Sequence, residues 1–168
     1  MMGWLKSRAR DNNTADIKVL MVCTANVCRS PLAEAILKQG SSGRSGLTKI
    51  HVDSCGLKAG PVPTAPDPRA RAIAEKNGIS LKGIKSRRFD DQDFYRFDWI
   101  LAMDSAHLAE LKSRCPEDAV ATLSLFLPDV VGQSARDVPD PYYGTAAGFE
   151  RVYDLLVKGC DYWLEVLQ

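Results

Sequence analysis

The chain has 168 residues, of which 45% are hydrophobic and 26% are charged, a composition typical of one globular domain with a sizeable core. Its 22 basic and 21 acidic residues leave a net charge of +1, so no strong field favours nucleic acid or an anionic membrane as a partner. Apolar runs fall far short of the roughly 20 residues that a membrane-spanning helix needs. We therefore expect one domain that binds neither nucleic acid nor membrane.

The first 16 residues carry scattered charges and lack the apolar centre of a secretory signal. We expect a flexible N-terminal extension at 1–16 and a single domain at 17–168. The five cysteines are an odd number at irregular spacing, which favours a reducing cytoplasm over a disulfide scaffold. No zinc-type spacing is present, and we expect neither a metal nor a cofactor.

A strand, a short loop and a helix are predicted in succession within residues 18–31. The apolar run 19–22 indicates a buried strand, and Ser30 with Pro31 indicates the start of a helix. A loop this short must curl and point its successive backbone N–H groups inward. Together with the helix N-terminus, those groups form an anion site, so we expect a phosphate-binding loop after the first strand.

Two chemically active side chains, Cys23 and Arg29, frame this loop. The helix N-terminus and the arginine would both stabilise a thiolate at Cys23, which makes it a candidate nucleophile. The planar fork of Arg29 can hold two phosphate oxygens at once, which a lysine cannot do. The loop residues whose amides would bind phosphate are Thr24, Ala25, Asn26, Val27 and Cys28.

Strands and helices alternate along the rest of the chain. A glycine-rich turn at 40–46 precedes predicted strands at 50–54, 99–103 and 121–126, and helices are predicted at 67–76, 104–112 and 146–167. This order predicts an α/β fold with a four-stranded parallel sheet and helices on both faces. The site then lies outside the carboxyl ends of the strands. On the 104–112 helix, we expect His107 to be exposed.

The string 23–31, Cys-Thr-Ala-Asn-Val-Cys-Arg-Ser-Pro, resembles the signature of the low molecular weight protein tyrosine phosphatases. The string 140–144, Asp-Pro-Tyr-Tyr-Gly, resembles the general-acid loop of the same family. The resemblance covers about residues 17–167 and implies hydrolysis of phosphotyrosine monoesters through a phosphocysteine intermediate, without a metal. Phosphotyrosine-containing proteins, a tyrosine kinase among them, would be the partners.

The resemblance also implies residue roles. Cys23 would be the nucleophile, Arg29 the phosphate ligand, and Asp140 the general acid and then the general base. It also implies that Ser30 donates a hydrogen bond to the thiolate and that Ser54 is the partner of Asn26. Tyr142 and Tyr143 would form an aromatic wall for the phenyl ring. Alternatives stay open, because Ser30 also suits a helix N-cap and Asp140 a turn, in which case Asp137 is the next acid. Asp104 suits either the pocket or a helix cap.

The chain departs from the family pattern at several positions. Ala25 stands where relatives have glycine, and it would strain the loop if that position needs a positive φ. Ile84 stands where a histidine or arginine is frequent. The proline-rich loop 57–66 should border the pocket mouth, and only Leu57 and Val62 could supply the bulky residue found there in many relatives.

Three other functions compete with the leading interpretation. Arsenate reductases of this fold need a downstream cysteine pair, whereas Cys55, Cys115 and Cys160 are far apart in sequence. Phosphoarginine phosphatases tend to carry threonine at the position of Val27 and to lack the paired tyrosines. A non-catalytic phosphate-binding module would not need a nucleophile and an acid. A disulfide between Cys23 and Cys28 is a further prediction, against a role for Cys28 as a small buried filler.

Overall fold

The computed structural model describes residues 16–44, 48–127 and 136–167. The strands are β1 (Ile17–Cys23), β2 (Ile50–Gly56), β3 (Trp99–Ala102) and β4 (Thr122–Leu125). The helices are α1 (Arg29–Ser42), α2 (Pro68–Lys76), α3 (Asp93–Arg96), α4 (Ser105–Arg114) and α5 (Ala146–Val166). Apart from Asp16, the predicted N-terminal extension lies outside the described residues.

The four strands form one parallel sheet in the order β2-β1-β3-β4, which confirms the predicted α/β fold. β1 has β2 on one side and β3 on the other, so the strand order reverses beside it. At its end, Cys23 pairs with Gly56 of β2, and Val22 pairs with Ala102 of β3. This reversal opens a crevice at the carboxyl end of β1, where ligands bind in open parallel sheets.

Side chains of β1 alternate between two apolar layers, because successive residues of a strand point to opposite faces. Val19 and Met21 belong to the layer that contains residues of α1, α2 and α5. Leu20 and Val22 belong to the second layer, with Phe94 of α3 and Leu111 of α4. Helices therefore cover both faces of the sheet, as predicted.

Helix α1 is longer than predicted, because it continues through Gly40 to Ser42 although 40–46 was expected to be a turn. A Cβ at Gly40 would lie 2.6 Å from Cδ1 of Leu164 on α5. The glycine therefore allows two helices to approach closely, and this packing outweighs its weak helix propensity. The short helix α3 was not predicted. Of the helices that the structure describes, none has the length and apolarity needed to cross a bilayer.

Candidate active site

The loop between β1 and α1 takes its shape at Asn26. Among the described residues, Asn26 is the non-glycine residue with a positive φ, at 60°. Asparagine tolerates this region better than most residues, which agrees with the prediction for this position. Ala25 does not share the conformation, so the strain expected there does not arise.

The side chain of Asn26 is fully buried and fixes the loop to three neighbours. Its Nδ2 donates to Ser30 Oγ at 2.8 Å and to Ser54 Oγ at 2.9 Å. Its Oδ1 accepts from the backbone N–H of Arg87 at 3.0 Å. The contact with Ser54 is the one that the family resemblance implied. With donors and acceptor all used, the loop has little freedom to open.

Cys23 lies at the end of β1 with its Sγ 2.9 Å from Ser30 Oγ. The Ser30 oxygen already accepts from Asn26, so its single hydrogen is available to Cys23 or to the Cys55 carbonyl at 3.3 Å. The alternative role of Ser30 as an N-cap is wrong. Helix α1 begins one residue earlier, with Cys28 at the cap position and no side-chain cap bond.

Arg29 is almost completely buried and is held by a fixed set of acceptors. Its Nη1 donates to Asp104 Oδ2 at 2.9 Å and to the Val138 carbonyl at 3.0 Å. Its Nη2 donates to Thr24 Oγ1 at 3.3 Å and lies 3.4 Å from Asp140 Oδ2. A guanidinium has five N–H donors, and these hydrogen bonds use three of them. The remaining donors can bind an oxyanion.

Asp104 is a helix cap and also binds Arg29, although it does not itself line the cavity at the loop. Its Oδ1 accepts from the backbone N–H of His107 at 2.9 Å and so caps α4, while its Oδ2 binds Arg29. Asp137 does a related task on the same helix, because it accepts from the backbone N–H of Ser105 at 2.9 Å. Asp137 is not among the residues that line the cavity at the loop.

A cavity of about 310 Å³ opens above the loop. Its lining brings together the side chains that the sequence singled out, namely Cys23, Arg29, Asp140, Tyr142 and Tyr143, with the loop residues Thr24, Ala25, Val27 and Cys28. The rings of the two tyrosines meet edge to face at 4.9 Å. The prediction that Leu57 or Val62 of the proline-rich loop supplies a bulky residue at the mouth of this cavity is wrong. Leu57 is buried in the core, Val62 is 71% exposed, and neither lines the cavity.

Arg69 of α2 fastens the loop that carries Asp140. Its guanidinium donates to the Tyr142 carbonyl at 2.8 Å and lies over the rings of Tyr142 and Phe149. Asp67 binds the same guanidinium at 2.9 Å, and its own backbone N–H donates to the Val27 carbonyl of the phosphate loop at 2.8 Å. Arg69 and Asp67 thus connect the two loops that face the cavity. The sequence prediction missed this pair, whose only signal was the start of a helix.

His107 contradicts its prediction, because its side chain is buried and only 7% of the residue is exposed. Burial, more than any charge nearby, lowers the pKa of its imidazole. His107 lies four residues before Leu111, which is also buried, so both belong to the inward stripe of α4. That spacing was the available signal for its burial.

The sequence model of one protein family, low molecular weight phosphotyrosine protein phosphatase, matches this chain over residues 18–168. The chain belongs to this family. The phosphatase is 39% identical to the low molecular weight phosphotyrosine protein phosphatase of Schizosaccharomyces pombe, over 86% of this chain and 92% of that protein. The crystal structure of YfkJ from Bacillus subtilis matches with a TM-score of 0.82 and 35% identity, over 90% and 94% of the two chains. Drosophila arginine phosphatase matches with a TM-score of 0.82 and 31% identity, over 90% and 98%.

At the departure from the family pattern, Ile84 packs partly buried against the core of this phosphatase. The buried carboxylate of Glu34 binds Lys38 on its own helix. Glu34 also accepts from Ser54 Oγ at 2.5 Å. Within residues 16–44, 48–127 and 136–167, no cluster of His, Cys, Asp and Glu is arranged to hold a metal ion.

Proposed function

We propose that the chain hydrolyses phosphotyrosine monoesters of proteins through a phosphocysteine intermediate. The observation that carries the proposal is the meeting of Cys23, Arg29 and Asp140 in one cavity beside Tyr142 and Tyr143. Phosphate-monoester cleavage needs an in-line nucleophile, charge stabilisation on the equatorial oxygens and a proton for the leaving oxygen. These three residues supply the three needs in that order.

Substrate binding depends on the loop amides and on the guanidinium of Arg29. The donors that Asp104, Val138 and Thr24 do not use can grip two phosphate oxygens in the bidentate manner of arginine. The phenyl ring of the substrate would lie against the tyrosine pair. An exposed tyrosine such as Tyr143, at 94%, has room to contact a protein substrate.

In the first step the Cys23 thiolate attacks phosphorus, so that an S–P bond forms while the bond to the phenolic oxygen breaks. Asp140 gives its proton to the departing oxygen, and Ser30, 2.9 Å from the sulfur, stabilises the thiolate before attack. In the second step water attacks phosphorus and gives its proton to Asp140. The S–P bond then breaks, which releases phosphate and returns the thiolate.

Two alternatives are tested against this proposal. Arsenate reduction needs a downstream cysteine pair, whereas Cys160 is buried, donates to the Ala33 carbonyl rather than facing another thiol, and has a pKa raised by that burial. Phosphoarginine hydrolysis is favoured by the similarity to drosophila arginine phosphatase. Against it, the cavity presents the apolar Val27 and two tyrosines.

The deciding experiment measures hydrolysis of matched phosphotyrosine, phosphoserine and phosphoarginine peptides with a metal chelator present. We expect turnover of phosphotyrosine above the other two. Cys23→Ser should abolish turnover and still bind vanadate, because the amides and Arg29 remain. Equal turnover in that variant would refute the cysteine mechanism, and a preference for phosphoarginine would replace the proposed substrate.

The role of Asp140 is tested by the leaving group. A tyrosyl oxygen has a pKa of about 10, and general-acid help is worth roughly 10²–10⁴-fold. Asp140→Ala should therefore strongly reduce the rate of phosphotyrosine hydrolysis. The rate of phosphoenzyme formation from an activated aryl phosphate should change much less. Breakdown of the phosphocysteine then becomes rate-limiting, and rapid-mixing traces should show an initial burst of released phenol. Equal slowing for both leaving groups would make Asp140 a structural turn residue, and Asp137 would be tested next.

We further infer that the protein works in the cytoplasm on phosphotyrosine proteins, a tyrosine kinase among them. Free cysteines at 23, 28, 55, 115 and 160 support a reducing compartment. Fractionation of the source cells, followed by immunodetection, tests this location.

A further inference from the structure

A buried imidazole, that of His107 on α4, lies beside the phosphate loop. Its Nε2 is 2.8 Å from Oγ1 of Thr24, the residue that follows the nucleophile. Its Nδ1 is 3.1 Å from Oδ1 of Asp104, the carboxylate that holds Arg29. His107 therefore bridges two groups that both contact the phosphate-binding guanidinium.

The surroundings of His107 determine which ring nitrogen carries the proton. The Nδ1 atom is buried and makes no hydrogen bond, but it lies 3.1 Å from Asp104 Oδ1, and a lone pair this close to a carboxylate, which is only an acceptor, would be repelled. The proton therefore belongs on Nδ1. Nε2 is then the acceptor, and the hydroxyl of Thr24 is the donor in the 2.8 Å contact.

With this tautomer, four side chains form a ring of contacts that starts at Arg29, which donates on both sides, and ends at Asp104, which only accepts. Arg29 Nη2 donates to Thr24 Oγ1 at 3.3 Å, and Thr24 donates to His107. Nδ1 of His107 lies 3.1 Å from one oxygen of Asp104, and the other oxygen of Asp104 accepts from Arg29 Nη1 at 2.9 Å. Without His107, the Thr24 hydroxyl loses its partner and its oxygen loses a fixed direction.

We propose that neutral His107 is a positioning residue for the phosphate grip, because it accepts the hydrogen bond of Thr24 and so fixes Thr24 Oγ1 as the acceptor that orients Arg29. The inference rests on the proposed function, in which Arg29 binds the phosphate. His107 does not line the cavity and acts only through Thr24.

The charge of His107 makes this device sensitive to pH. Asp104, Asp140 and Glu110 favour the protonated ring and Arg29 opposes it, while burial opposes it most and lowers its pKa. The ring is thus neutral at neutral pH. When it gains a proton, Nε2 becomes a donor to Thr24 Oγ1 and the direction of that bond reverses. Oxyanion binding should weaken as the pH falls through the pKa of His107.

The test measures vanadate affinity, which needs no turnover. Thr24→Val, which keeps the shape of the side chain, and His107→Ala should each weaken binding about 10- to 100-fold, as expected for a bond within a charged network. The double variant should bind no more weakly than the weaker single variant, and Thr24→Ser should recover most of the affinity. Ser113→Ala, an exposed change near the end of α4, is the matched control and should bind as the wild type does.

A pH series completes the test. The chain has two histidines, His51 and His107, so NMR titration of the protein gives the pKa of His107 directly. The affinity ratio of wild type to Thr24→Val should fall towards one below that pKa. Three results would overturn the inference: losses of vanadate affinity that add in the double variant, no loss of affinity in Thr24→Val, or an affinity ratio that stays constant through the titration of His107. Coupled losses in a protein that does not hydrolyse phosphotyrosine would refute the proposed function alone. Hydrolysis with additive losses would refute only the role of His107.

Discussion

Gly56 ends β2 directly beside the phosphate loop, and Gly56→Ala tests how closely the loop must approach the sheet. Gly56 pairs with Cys23 in the sheet register. A Cβ at this position would lie 2.5 Å from the Thr24 carbonyl oxygen and 2.8 Å from the backbone nitrogen of Asn26. Both are backbone atoms, so no side-chain rotation can relieve the contact.

The size of the effect follows from these distances. Ordinary Cβ contacts begin near 3.4 Å, so the strand and the Thr24 carbonyl must separate by about 0.9 Å. Overpacking of this kind typically costs about 1–3 kcal/mol of folding free energy, and each kcal/mol lowers Tm by about 2–4 °C in a chain of this length. A misplacement of about 1 Å in a catalytic group can cost about 10²-fold. We therefore expect kcat/KM to fall about 100-fold.

The matched control is Gly60→Ala, because a Cβ there meets nothing within 4 Å. Both variants are compared by kcat/KM on a phosphotyrosine peptide, by vanadate affinity and by thermal unfolding. Gly56→Ala should lose activity and vanadate binding while it stays folded at the assay temperature, and Gly60→Ala should match the wild type. A folded Gly56→Ala with kcat/KM within about twofold of Gly60→Ala would refute the argument that this close approach shapes the loop.

Two further predictions concern the loops at the cavity. Peroxide should yield a Cys23–Cys28 disulfide, and the yield should increase as the pH rises. The reason is that burial raises the pKa of Cys28 to about 12, so the thiolate that attacks oxidised Cys23 is scarce at neutral pH. Peptide mass spectrometry that finds only sulfinic acid at Cys23 would contradict this prediction. Arg69→Ala, which frees the loop that carries Asp140, should slow phosphoenzyme formation from a phosphotyrosine peptide more than from an activated aryl phosphate in stopped-flow assays. The exposed Arg71→Ala is its control, and equal slowing of both substrates would contradict the role of Arg69.

The parts of the site that depend on local sequence could be predicted. A run of apolar residues, a short loop and a helix start determine β1, the phosphate loop and α1 without knowledge of the rest of the chain. The positive φ at Asn26 is equally local, because it depends on the tolerance of one residue type. The bond from Asn26 to Ser54 was implied by the family resemblance rather than by the residues alone.

What could not be predicted depends on contacts between distant segments. His107 looks like a polar surface residue until the ends of β1 and β3 place Thr24 and Asp104 around it. The continuation of α1 through Gly40 depends on α5, which lies more than a hundred residues later in the chain. For Gly40 no nearby residue reveals the partner, and for His107 only Asp104 is close in sequence, whereas Thr24 lies 83 residues earlier.

One face of α1 is connected to the Cys23 sulfur through a chain of hydrogen bonds. Ser30, Glu34 and Lys38 are spaced by four residues, so they follow one another along the same side of the helix. Glu34 is 4% exposed, and a buried carboxylate is stable only with partners, which here are Lys38 and Ser54. Because Ser54 donates to Glu34, its oxygen accepts from Asn26, and Asn26 in turn donates to the Ser30 oxygen beside the Cys23 sulfur. The directions of these bonds follow from the Asn26 amide, whose Nδ2 only donates and whose Oδ1 accepts from the backbone N–H of Arg87, while the half-exposed ammonium of Lys38 pairs with Glu34 at the outer end.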